Sequence, residues 1–97
     1  MQAAPSYGSG KEVEVRIYSE YGDTLITSTE IEADPDPDRY YFSNREARKL
    51  AKDILTAYDP MYADATIAMS SFADDVNGKI IEDELDCYMA IYVVIGW

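Results

Sequence analysis

The chain of 97 residues contains no histidine, a single cysteine, four prolines and five glycines, and it has far fewer bases than acids. Each shortage excludes something. Without histidine there is no imidazole to act as a general base near neutral pH, no Ser-His or Cys-His nucleophile pair, and no example of the commonest zinc ligand. As the one cysteine of the sequence, Cys87 cannot form an internal disulfide, which sets a reducing cytoplasm as the expected location. No basic start followed by an apolar run reads as a leader, and no apolar stretch is long enough for a membrane helix. Eight bases against nineteen acids give a formal charge of −11. Such a balance repels nucleic-acid backbones and anionic membranes and favours a basic partner.

What remains is sufficient for one modest core, so a single domain over 11–97 is expected behind a polar tail at 1–10. Val13, Val15 and Ile17 alternate with Glu12, Glu14, Arg16 and Tyr18, the period-two pattern of a half-buried strand. After a turn at Glu20–Thr24, the β-branched run 24–32 is expected to return as its antiparallel partner. Ser43 followed by Glu46 has capping-box spacing. It opens a helix whose stripe of Ala47, Leu50, Ala51, Ile54, Leu55 and Tyr58 is apolar and whose other side carries Arg45, Arg48, Lys49 and Lys52. Asp59-Pro60 ends it, since proline cannot continue a helix.

The closing stretch from Leu85 to Trp97 is apolar on nearly every position, as suits a central strand covered on both faces. Asn77-Gly78 suits a type I′ turn, which would pair 66–75 with 80–96. The expected fold is therefore α+β: an antiparallel sheet of about four strands in the order ββαββ, with one amphipathic helix on one face.

The run "EIEADPDPDRYY" at 30–41 is the most conspicuous candidate for function. Asp34, Asp36 and Asp38 have the one-three-five spacing of a calcium loop. However, Arg39 stands where such a loop needs glycine, and Arg45 where it needs a bidentate Glu, so no metal or other cofactor is expected. As an imitation of phosphate, the row has residues two apart about 6.6 Å from each other, roughly half the charge density of one DNA strand. Imitation would need a second acidic stretch beside it. "EDELD" offers Glu82, Asp83, Glu84 and Asp86, and Asp74 and Asp75 lie near the Asn-Gly pair. The alternative is that these are solvated segments that keep sheet edges from pairing.

Charge is uneven along the chain. Residues 39–52 hold five bases against Glu46, a local +4 that leaves −15 for the remainder. Nine tyrosines exceed what so small a core can enclose. Some must be surface residues able to bury a partner's arginines and lysines, with Tyr40 and Tyr41 as candidate anchors. Tyr58, Tyr88 and Tyr92 are expected to pack along the sheet or its edges. The partner-binding candidates are thus Glu30, Glu32, Asp34, Asp36, Asp38, Tyr40, Tyr41, Asp74, Asp75, Glu82, Asp83, Glu84 and Asp86.

A charged hairpin, the capped helix "FSNREARKLAKDIL", an apolar closing strand and a heavy acid excess together make residues 11–97 resemble the small inhibitors of phages and mobile elements, the anti-CRISPR and anti-restriction proteins. The resemblance lies in architecture and composition and assigns no residue a role. It implies a non-enzymatic protein that occupies the nucleic-acid-binding surface of a host defence nuclease complex. Two other readings fit the residues: an immunity protein or antitoxin that neutralises a basic nuclease toxin, and a homo-oligomeric module joined through the apolar strand.

Overall fold

A computed structural model of the protein describes residues 11–33, 42–82 and 86–97, and the structural statements below concern those residues. The hairpin forms as its alternation requires, with β1 (Lys11–Tyr18) antiparallel to β2 (Leu25–Ala33). A bulge between Ile17 and Tyr18 leads into the turn. There Gly22 has φ 77°, and a Cβ on it would lie 2.8 Å from the Tyr92 ring. Glycine answers both the left-handed backbone and the close approach.

Helix α1 (Asn44–Tyr58) starts where the capping box predicts. The Glu46 amide donates to Ser43 Oγ at 3.2 Å, and the Ser43 amide donates to Glu46 Oε1 at 3.0 Å. Two of the four amides left over at a helix start are satisfied in this way. The helix ends at Asp59, and Pro60–Asp64 forms a 3₁₀ turn.

The fold class is α+β with one helix, and the sheet differs from the simplest expectation in two respects. First, it has five strands. The expected second hairpin arm, 80–96, is divided into β4 (Ile80–Glu82) and β5 (Cys87–Gly96), and β4 shares one edge of β5 with β3 (Thr66–Met69), the part of the first arm that forms a strand. Second, the sheet is mixed. β5 runs parallel to β1 from Glu14↔Tyr88 to Tyr18↔Tyr92 and antiparallel to β3 and β4, giving the order β2-β1-β5-β3. A parallel pair needs a long crossover, which the segment containing α1 provides.

The type I′ turn does not form. It requires positive φ at both central residues, yet Gly78 has φ 81° and no residue other than glycine has a positive φ among those described. Instead the Asn77 side chain turns inward and is buried. Its Nδ2 donates to Ser70 O at 2.9 Å, and its Oδ1 accepts from the Tyr92 amide at 2.7 Å. Meanwhile the Ser70 amide donates to Tyr92 O at 2.8 Å. The carboxamide thus stands in the ladder where β3 stops, and it satisfies the buried Ser70 carbonyl and the half-buried Tyr92 amide.

The core lies between α1 and one sheet face. Val13, Val15 and Ile17 of β1, Met89, Ile91 and Val93 of β5, and Ala47, Ala51 and Leu55 of α1 are all buried in it. Leu50, Ile54 and Phe42 pack half-buried at its rim, as does Cys87. On the outer side of the helix Lys49 Nζ meets Asp53 at 3.2 Å, and Lys52 Nζ donates to Ala65 O at 2.6 Å. Part of the basic stripe is therefore occupied in tying the helix down.

Candidate functional site

Successive strand residues point to opposite faces, so burying Val13, Val15 and Ile17 under the helix sends Glu12, Glu14, Arg16 and Tyr18 to the other face. β2 follows the same parity. Ile31 pairs with Val13 on the helix side, while Glu32 pairs with Glu12 and Glu30 with Glu14 on the open side. Four glutamates thus form two directly opposed like-charge pairs. Groups opposed in this way lie about 5 Å apart at Cβ and repel. The Glu30 carboxyl is pushed above its ordinary range, chiefly by a hydrogen bond shared with Glu12, then by the charge of Glu12, by partial desolvation and by Glu14.

Next along the face comes Arg16. Its guanidinium meets Glu14 Oε1 at 2.7 Å and lies 4.2 Å over the Tyr88 ring. The hydrogen bond that Arg16 donates to Glu14 raises its pKa further still. Beyond it the face becomes aromatic. Tyr18 stacks on Tyr92 with centroids 5.1 Å apart, Phe72 meets Tyr92 edge-on at 6.0 Å, and Tyr21 meets Phe72 at 5.8 Å. Burial, reinforced by Tyr18 and Tyr88, pushes the Tyr92 hydroxyl pKa up, so it stays a neutral donor. Tyr21 and Phe72 are 64% and 59% exposed. The face accordingly has an acidic end, an arginine already held between a carboxylate and a tyrosine, and an aromatic end.

The predicted residues fall in several places. Glu30 and Glu32 are exposed on this face. Asp34, Asp36, Asp38, Tyr40, Tyr41, Asp83 and Glu84 lie outside the described residues. Glu82 ends β4 and pairs with Cys87. Asp86 is exposed two residues before Tyr88, at the sheet end where Glu12 lies two residues before Glu14. Asp74 and Asp75 are exposed beside a hollow lined by Phe42, Ser43, Asn44, Asn77 and Lys79. That hollow is on the β3/β4 side of β5, the far edge from β2, so these two acids do not join Glu30 and Glu32. Tyr88 and Tyr92 pack along the sheet as expected, and Tyr58, though 59% exposed, lines a hollow at the sheet edge with Thr27 and Thr29 of β2.

The second acidic row is formed by Glu12 and Glu14, which were not among the candidates. Their alternation with valine was visible, and only the hairpin register shows that they face Glu32 and Glu30. Among the described residues no group of three or more Cys, Asp or Glu is arranged to hold a metal, and no helix is long and apolar enough to cross a membrane. Comparison with protein-family models, with curated proteins and with solved structures finds no match to the chain.

Proposed function

We propose that this protein is a non-enzymatic inhibitor that docks the open sheet face on the basic, nucleic-acid-binding surface of a host defence nuclease complex, in the manner of anti-CRISPR proteins. One observation carries the reading: the opposed pairs Glu12↔Glu32 and Glu14↔Glu30. Two rows of carboxylates with repeats of about 6.6 Å amount to one carboxylate per roughly 3.3 Å, near the 3.4 Å per phosphate of a single DNA strand. A folded chain gains nothing in stability from opposing like charges, and a cationic partner relieves their repulsion. The aromatic end supplies area on which guanidinium groups and apolar stems can stack.

The test is competition. Purified protein is titrated into a CRISPR effector complex of its natural host while binding of labelled target DNA is followed. The wild type is expected to displace DNA stoichiometrically. The variant with Glu12, Glu14, Glu30 and Glu32 all changed to Gln is expected to lose at least about tenfold in potency, a difference of about 1.4 kcal/mol. Wild-type protein that leaves DNA binding untouched, or a neutralised variant of full potency, would falsify the proposal.

A further inference from the structure

We propose that the outer edge of β2, with the groove between β2 and α1, is a strand-addition site for an extended partner segment in which apolar and basic residues alternate. The proposal rests on the acidic-face reading only for the sign of the partner's charge. Among the described residues β2 is the outermost strand, with β1 as its one neighbour. Its nine residues, "LITSTEIEA", span about 30 Å and contain neither proline nor lysine, two devices by which natural sheets blunt an edge. An edge strand directs alternate backbone N–H and C=O groups outward, ready to pair.

A groove of about 370 Å³ runs beside this edge on the helix side, between Thr27, Ser28 and Thr29 and the helix residues Asp53, Ile54, Ala57 and Tyr58. It exists because α1 buries Ala47, Ala51 and Leu55 over the core and leaves Ala57 and Tyr58 exposed on its flank. A strand added about 4.8 Å outside β2 would send alternate side chains to the two faces. One set would fill the groove over Ile54, Ala57 and Tyr58. The other would emerge beside Glu30 and Glu32, where lysine or arginine forms favourable cross-strand pairs and an acid is repelled.

Charge also selects a heterologous occupant over a second copy. Two copies paired through β2 would bring together chains of −11 each and place both sets of Glu30 and Glu32 on one continuous sheet. The described part of β2 past Leu25 offers no base to meet them.

The test uses capped peptides of alternating lysine and valine, matching the nine residues of β2, titrated into the full-length protein at low salt by calorimetry. The alternating peptide is expected to bind at least about tenfold more tightly than an isomer with all lysines at one end. Of two forms N-methylated on alternate backbone nitrogens, one should lose binding and the other keep it, since an added strand turns only every second N–H toward its neighbour. Ala57→Trp, which fills the groove without changing charge, should weaken the alternating peptide about tenfold at unaltered thermal stability. Equal affinity of the two isomers overturns strand addition and leaves the acidic-face reading standing. Failure of both to bind overturns the strand-addition proposal, while the DNA competition alone decides the acidic-face reading; a dimer at micromolar concentration assigns the edge to a second copy and overturns the proposal.

Discussion

The two faces of the central sheet are built from the same strands and follow opposite rules. Under the helix, β1 and β5 present valine, isoleucine and methionine, packed against the buried Ala47, Ala51 and Leu55 and a half-buried, mostly aliphatic rim. On the open side the intervening residues of the same strands are Glu12, Glu14, Arg16 and Tyr18 on β1 and Tyr88 and Tyr92 on β5, where like charges oppose and rings stack at the surface. One face accounts for folding. The other carries features that folding does not need, and a binding role is assigned to it on that difference.

The contrast is tested most strongly on the covered side. Leu55 is fully buried, and Leu55→Ala is expected to cost about 2–5 kcal/mol in urea denaturation, the range for leucine truncation with partial collapse of the cavity. A loss below about 1 kcal/mol would mean that α1 is not seated on the sheet. Asn77→Ala comes next, at about 2–3 kcal/mol, because it leaves the Tyr92 amide and the Ser70 carbonyl without their partner. Faster hydrogen exchange at the Tyr92 amide should accompany it, and protection equal to wild type would contradict the role given to the carboxamide.

Smaller effects sharpen the picture at the helix start and on the open face. Ser43→Ala should cost about 1 kcal/mol through loss of the cap. The Ser43 amide and hydroxyl hold the Glu46 carboxyl below its ordinary 4.5. The stability linked to it is therefore complete above that value and lost as pH falls through the lowered folded value. Glu46→Ala should accordingly destabilise at pH 7 and become neutral in strong acid.

Glu30 has the opposite sign. Its folded pKa is raised above 4.5, so its favourable contribution exists below that value and disappears as pH rises through the folded one. Glu30→Gln is expected to raise the melting midpoint slightly at pH 7, with the gain vanishing below pH 4.5. A variant less stable than wild type at neutral pH would show that the opposed glutamates are not in conflict.

Much of this architecture is legible in the residues. The Val13-Val15-Ile17 alternation, the Ser43–Glu46 spacing and Asp59-Pro60 each report a local physical requirement, and each element forms where they say. The parallel pairing of β1 with β5 is a long-range choice with no local signature. The Asn77-Gly78 pair misleads for a related reason: the dipeptide suits a hairpin turn, yet the missing rung between β3 and β4 draws the Asn77 amide inward. The open face, proposed as the docking surface, is only half legible. Glu30 and Glu32 stand out because they sit in an acidic run, while Glu12 and Glu14 have the pattern of ordinary strand alternation, and only the register sets them opposite.

The most direct test of the division between the faces combines stability and binding in one variant, Glu12, Glu14, Glu30 and Glu32 all changed to Gln. Urea midpoint and displacement of DNA from the effector complex would be measured at two salt concentrations. The expected result is a midpoint equal to or above wild type, with displacement at least about tenfold weaker and less sensitive to salt. A variant that still displaces DNA with wild-type potency and the same salt dependence would contradict the assignment of the open face as the docking surface.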